Sequence, residues 1–132
     1  MTKEDVNNFE KVQSQLEGLL IELTTLAKKS PNDGVNKFKL KFINEIISYG
    51  NKILGKAYKP LDSFVQFDED DLPSNSDVSF ILSQYLSCFE KLRSDNIYRK
   101  SEYDGNKYLY EWFWIVDKSN SEIKTSPPEK IK

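Results

Sequence analysis

Residues 6–26 read VNNFEKVQSQLEGLLIELTTL, and this stretch decides the class of fold. Its strongly apolar positions recur at alternating spacings of three and four, which is typical of one face of an α-helix. These positions are Phe9, Val12, Leu16, Leu19, Leu23 and Leu26. Thr2 is placed to cap the start, with Asp5 three residues later in a weaker form of the capping box. The pattern predicts a first helix of about 25 residues.

Two further amphipathic stretches predict a second and a third helix. The second is expected at residues 35–55, after the start signals of Ser30-Pro31 and Gly34. Its main apolar set is Val35, Phe38, Phe42, Ile46, Tyr49 and Ile53, and a second flank carries Ile43, Ile47 and Leu54. We therefore expect this helix to be buried on more than one side. The third is expected to follow Pro73, with Ser74 or Ser76 as its cap, and to end near Asp95.

Residues 59–75 break the helical periodicity between these two helices. They contain Pro60, Pro73 and the acidic run Asp68-Glu69-Asp70-Asp71. Apolar residues within the segment are placed to anchor it on the core, and they are Leu61, Phe64, Val65 and Phe67. We predict an ordered connector.

Residues 108–116 read YLYEWFWIV, and here the apolar period changes from 3.6 to 2. The alternation predicts a strand, and Asp104-Gly105 is a turn signal before it. Its pairing partners are expected from residues 97–103, from 122–126, or from both. Pro127-Pro128 ends the last predicted strand. We therefore predict one domain over residues 1–126 and a frayed tail over residues 127–132. The fold class is mainly α (α+β), a three-helix bundle with a small C-terminal antiparallel β-hairpin or sheet.

The predicted strand is aromatic or apolar on both faces. One face carries Tyr108, Tyr110, Trp112 and Trp114, and the other carries Leu109, Phe113 and Ile115. Only one face of a small sheet can cover the helices. Either the connector or the tail covers the second face, or that face binds a partner, because Trp and Tyr dominate interface hot spots. Base stacking on nucleic acid is a third alternative.

Charge is divided into adjacent blocks although the net charge is only −2. Residues 31–60 are rich in lysine, and residues 61–77 are rich in acids with no lysine or arginine. The two blocks could attract each other within the chain, where exposed pairs contribute little. Alternatively, the acids steer a basic protein, or the lysines form a nucleic-acid face. The lysines of that face would be Lys37, Lys39, Lys41, Lys52 and Lys56.

Residues able to carry out catalysis are scarce. The chain has no histidine, which removes the usual general base and the commonest transition-metal ligand. Cys88 lies among apolar positions of the third helix and is expected to be a packing cysteine. A metal-dependent hydrolase would have to use the carboxylates Asp68, Asp70, Asp71 and Asp77, which lack the spacing of a known calcium loop. We expect no enzyme activity, no metal and no cofactor.

These observations favour a non-enzymatic protein-binding module, such as an inhibitor, an immunity protein or an accessory subunit. Its predicted partner-binding residues are Tyr108, Tyr110, Trp112, Trp114, Asp68, Glu69, Asp70 and Asp71. The alternative is a small nucleic-acid-associated subunit that uses the lysine face. A single cysteine and the absence of a signal-like or membrane-spanning stretch favour the cytoplasm, and the lysine-rich composition suggests a bacterial or phage origin. Dimerisation through the first helix remains an open alternative.

Overall fold

The computed structural model describes residues 1–117 and 122–129. Three α-helices are followed by a three-stranded antiparallel sheet, which confirms the predicted fold class. The helices are α1 (Lys3–Lys29), α2 (Lys37–Tyr58) and α3 (Asn75–Asp95). The strands are β1 (Ile97–Tyr103), β2 (Tyr108–Trp114) and β3 (Lys124–Thr125).

Helix α1 begins where its capping residues predict. The Thr2 hydroxyl accepts a hydrogen bond from the Asp5 backbone N–H, and the Asp5 carboxylate accepts one from the Thr2 N–H. The residues of its buried face are Val6, Phe9, Val12, Leu16 and Leu23. Because this face lies in the chain's own core, it is not free to form the coiled-coil dimer considered from the sequence.

Helix α2 begins at Lys37, close to the predicted start at residue 35, but it buries a different face from the one predicted. Asn36 is the N-cap and accepts a hydrogen bond from the Lys39 N–H. The buried apolar positions are the flank predicted as secondary, Ile43, Ile47 and Leu54, together with Leu40, which was in neither predicted set. Phe38, Phe42 and Tyr49 are exposed, so the prediction that both flanks are buried is wrong. In a bundle of three helices, the side of α2 that faces away from its neighbours has nothing to cover it.

Helix α3 begins after Ser74, whose hydroxyl accepts the Asp77 N–H, and ends at Asp95. Both boundaries agree with the prediction. Its central residues Tyr85 and Phe89 are fully buried and pack closely against Gly50 of α2. A methyl group at Gly50 would lie 3.5 Å from the Phe89 ring, at ordinary van der Waals distance, so the two helices approach closely here.

The connector between α2 and α3 is ordered by specific backbone contacts. The Asn44 side chain, which is buried, both donates to and accepts from the Phe67 backbone, at 2.9 Å in each case. Asn51 donates to the Val65 carbonyl. Among the described residues, the connector makes no hydrogen bond to the sheet. It is joined to α2 instead, and because Tyr108 and Tyr110 remain exposed, it does not provide the second layer considered for the aromatic strand.

The sheet has the strand order β1-β2-β3, so both predicted pairing partners of the aromatic strand are present. The register of β1 and β2 runs from Ile97 opposite Trp114 to Tyr103 opposite Tyr108. Strand β1 starts directly after α3, so the base of the hairpin is held against the helices. Residues 98–111 are all exposed, so the hairpin projects from the bundle beyond that base.

Candidate functional site

The projecting part of the hairpin presents an uncovered tyrosine-rich face. Alternation along the two strands places Arg99, Tyr103, Tyr108 and Tyr110 on this face, which we call the tyrosine face. The ring centroids of Tyr103 and Tyr108 are 5.3 Å apart, and those of Tyr108 and Tyr110 are 6.5 Å apart. The Arg99 guanidinium carbon lies 4.5 Å from the centroid of the Tyr110 ring, within the range of a cation–π contact. The rings are thus ordered by their neighbours while remaining open to solvent.

Trp114, predicted to bind a partner, is instead a core residue. It is 2% exposed, and its ring contacts the Phe9 ring edge-on with the centroids 5.0 Å apart. Its indole N–H donates to the Glu10 carboxylate at 3.2 Å. Trp112 is half-buried against the core. Trp114 is buried because it lies at the base of the hairpin, which packs on the helices. Tyr108 and Tyr110 are exposed because they lie further along the strand, beyond the helices.

Charged and aromatic side chains of the sheet lie across part of its opposite face. Salt bridges join Lys100 to Glu122 at 2.8 Å and Lys124 to Glu111 at 3.0 Å. The first pair raises the pKa of the Lys100 ammonium, chiefly through the hydrogen bond to Glu122. Phe113 is buried on this side, with its ring centroid 5.8 Å from that of Tyr98. This face, which also carries Leu109 and Ile115, is therefore partly closed by charged and aromatic neighbours.

A buried ion pair on α3 holds the C-terminal segment, and no pattern in the sequence predicts it. The Arg93 guanidinium donates two hydrogen bonds of 2.7 Å to the Glu90 carboxylate, and both side chains are almost fully buried. Arg93 also donates to three oxygens of the C-terminal segment, namely Thr125 Oγ1, Ser126 O and Pro127 O. The Glu129 N–H donates to Glu90. We call this arrangement the Arg93 clasp.

The sequence predicts a frayed tail from residue 127, and the Arg93 clasp holds the first residues of that tail. Residues 127–129 are attached to α3 through the clasp, and residues 130–132 lie outside the described residues. Glu90 and Arg93 are three positions apart on α3, a spacing at which Glu and Arg are ordinarily exposed on the helix surface. The spacing therefore does not indicate that this pair is buried.

The acidic run Asp68–Asp71 forms a second exposed surface. Asp70 makes a salt bridge of 3.1 Å with Lys37, and both side chains are largely exposed. The Asp68 carboxylate accepts the Asp70 N–H, which folds the run into a tight turn. No group of three or more acidic or thiol side chains among the described residues is arranged to hold a metal ion. No hydrogen bond, ion pair or ring contact of the described residues joins this run to the tyrosine face, so the two are separate surfaces.

The predicted lysine face of α2 is only partly available. Lys37 pairs with Asp70, and Lys39 points the other way and pairs with Glu22 of α1 at 2.6 Å. The Lys52 ammonium lies 5.9 Å from the centroid of the exposed Tyr49 ring. Lys41 is exposed on the same side of the helix as Lys52. Lys56 is also exposed, but it follows Gly55, whose backbone angles interrupt the helix. Helix α2 thus presents lysines beside uncovered aromatic rings.

Cys88 is half-buried on α3 and packs against the core. Burial raises the pKa of its thiol, which lowers the fraction of the reactive thiolate at neutral pH. This environment agrees with the packing role predicted for it.

Comparison of the chain with protein-family models, curated proteins and solved structures finds no match. Among the described residues, no helix combines the length and apolar character needed to cross a membrane.

Proposed function

We propose that this chain is a non-enzymatic, cytoplasmic protein-binding module, an inhibitor, immunity protein or accessory subunit of a bacterial or phage complex. The single observation that carries the proposal is the tyrosine face on a hairpin that projects from the bundle. Tyr103, Tyr108 and Tyr110 are each more than half exposed, at 65%, 61% and 55%. Ordered tyrosines lose little conformational entropy on binding, and with arginine they are enriched at interface hot spots.

The position of the hairpin supports the same proposal. Its base is anchored by Trp114 in the core and by the Arg93 clasp, so the exposed strands leave the bundle from a fixed point. Paired strands that present aromatic rings bind with a lower ordering cost than an unstructured loop. In this proposal the acidic run Asp68–Asp71 is an electrostatic guide that accelerates association with a basic partner, without joining the tyrosine face in one contact surface.

The test compares partner capture by three immobilised proteins: the wild type, a triple variant and a matched control. The triple variant replaces Tyr103, Tyr108 and Tyr110 with threonine, which retains the strand preference of the hairpin. The control is Tyr49→Thr, which removes an exposed tyrosine from α2. Proteins captured from an extract of the native host are quantified by mass spectrometry, and the captured protein is then purified and titrated by calorimetry.

We expect the wild type and the Tyr49 variant to bind the same protein, and the triple variant to lose at least about tenfold in affinity. Circular dichroism must show the same helical content in all three proteins. A triple variant that binds as tightly as the wild type contradicts the proposal.

Nucleic-acid binding is the second candidate, and the Arg99–Tyr110 contact is the observation that favours it. Stacked tyrosines with an adjacent arginine can hold unpaired bases, and Lys41, Lys52 and Lys56 would contact phosphates. The net charge of −2 weighs against this reading. Fluorescence anisotropy with single-stranded and double-stranded oligonucleotides tests it, because phosphate contacts require a steep salt dependence. No binding at about 50 mM salt eliminates this candidate.

A further inference from the structure

Strand β1 leaves one long edge of the sheet open. In the order β1-β2-β3, β1 pairs with β2 on one side, and no strand of the described residues lies on its other side. Its last six residues, 98–103, are all exposed. The outward backbone N–H and C=O groups of such an edge are a template for pairing with another extended chain.

The sequence of β1, Ile97-Tyr98-Arg99-Lys100-Ser101-Glu102-Tyr103, suits one particular partner, a second copy of itself. Two identical antiparallel edge strands are related by a two-fold axis perpendicular to the sheet. Such an axis leaves each side chain on the same side of the sheet. Because odd-numbered and even-numbered residues of β1 lie on different sides, an odd-numbered residue can lie opposite only an odd-numbered one, and an even-numbered residue opposite only an even-numbered one. The allowed arrangements are therefore centred on single residues of the strand.

Ile97 is buried, so the centre must lie among the exposed residues 98–103. Of these six centres, only one brings opposite charges together without bringing like charges together, and centring on Tyr98 brings no opposite charges together. Centring on Ser101 places Lys100 opposite Glu102 of the second copy, and Glu102 opposite Lys100 of the second copy. It also places each Arg99 opposite Tyr103 of the second copy on the tyrosine face. Centring on Arg99, Lys100 or Glu102 sets a charged residue against its own copy, and centring on Tyr103 sets Glu102 against Asp104 of the second copy.

We propose that the chain forms a two-fold symmetric dimer through β1, with Ser101 on the axis and two Lys100–Glu102 pairs across the interface. The two hairpins then form one continuous sheet. A two-fold axis perpendicular to the sheet does not exchange the two sides of the sheet. Both tyrosine faces therefore lie on the same side. The dimer presents a doubled tyrosine surface, which would bind a repeated or symmetric partner by avidity. The dimer does not depend on the protein-binding function proposed above.

Charge reversal tests the interface by sedimentation equilibrium over a concentration series. Lys100→Glu and Glu102→Lys each replace two attractive pairs with two repulsive ones, and each is expected to weaken the dimer at least about tenfold. The double variant K100E/E102K restores complementary pairs, and its dissociation constant is expected within about threefold of the wild type. Glu122→Gln is the matched control, because it removes the Lys100–Glu122 pair within one chain and leaves the interface charges in place.

Cross-linking tests the register. Residues directly opposite in antiparallel strands have Cα atoms about 4.5–5.5 Å apart, which a disulfide can span. In a Cys88→Ser background, Ser101→Cys is expected to form a disulfide-linked dimer faster than Lys100→Cys under mild oxidation. Three results would overturn the proposal: a wild type that stays monomeric up to about 1 mM, a double charge variant that fails to recover, or faster cross-linking at position 100.

Discussion

Substitution of Arg93 by methionine tests how the C-terminal segment is held. Methionine preserves much of the length and apolar volume of the side chain but donates no hydrogen bond. The variant leaves the Glu90 carboxylate buried without its counter-ion, and it removes the donor for three oxygens of residues 125–127. Strand β3 pairs with Trp112 and Phe113 of β2, so the base of the hairpin loses one of its supports.

The magnitude follows from the burial of this pair. The side chains of Arg93 and Glu90 are 4% and 8% exposed, so solvent screens their charges weakly. Removing one partner of a buried ion pair costs about 3–5 kcal/mol, because the remaining charge is stranded in a poorly polarisable environment. This is a large share of the roughly 5–15 kcal/mol that stabilises a typical domain. A double variant, Glu90→Leu with Arg93→Met, removes both charges and is expected to recover part of the loss.

Urea denaturation followed by far-ultraviolet circular dichroism measures the free energy of unfolding of each variant. The control is Lys91→Met on the same helix, which breaks the exposed Lys91–Asp95 pair and is expected to cost no more than about 0.5 kcal/mol. If Arg93→Met costs less than about 1 kcal/mol, the reasoning from burial is refuted. If the double variant is no more stable than Arg93→Met, the stranded charge is not the source of the loss.

Three further predictions concern other parts of the structure. Trp114→Ser is expected to cost at least about 3 kcal/mol in urea denaturation, whereas Tyr110→Ser costs less than about 1 kcal/mol; similar losses would contradict the assignment of one ring to the core and the other to the surface. Asn44→Ala leaves buried connector backbone groups without a partner and is expected to cost about 2 kcal/mol or more by the same assay; a neutral result would show that the connector is not held there. Tyr58→Phe removes the hydrogen bond that most lowers the pKa of Asp95, so an NMR titration should show that pKa rising towards its ordinary value. An unchanged Asp95 titration would exclude that hydrogen bond in solution.

The Asp95 titration also gives the sign of a pH effect. Its pKa is lowered in the folded state, mainly by the Tyr58 hydroxyl and then by Lys91. Stabilisation from this carboxylate is therefore present above its unfolded pKa and is lost as the pH falls through its folded pKa. The Tyr58→Phe variant should show less acid-induced loss of stability than the wild type below about pH 4.

Local signals in the sequence predict most of the helical framework. The Thr2–Asp5 capping box, the Ser74 cap and the end of α3 at Asp95 all depend on residues within a few positions of each boundary. The change of period before Tyr108 likewise predicts the strand, because alternation is a property of the strand alone. For α2 the local signals were ambiguous, and Asn36 rather than Ser30 is the cap.

The prediction of burial fails where it depends on distant neighbours. The two flanks of α2 are similarly apolar, so the periodicity does not distinguish the buried flank from the exposed one. In the structure Ile43 and Ile47 face the core, whereas Phe38 and Phe42 are exposed. The aromatic strand shows the same limit. Alternation predicts a difference between its faces, whereas the structure also divides it along its length, with Trp114 buried and Tyr108 exposed.

The sequence by itself determined three helices, one hairpin and the charge pattern of β1, because each is encoded within a short run of residues. Only the tertiary structure decided which aromatic residues face solvent. Helix α3 continues directly into β1, so the base of the hairpin lies against α1 and its outer half extends past the bundle. The Arg93 clasp, which joins residues more than 30 positions apart, could likewise not be read from local spacing.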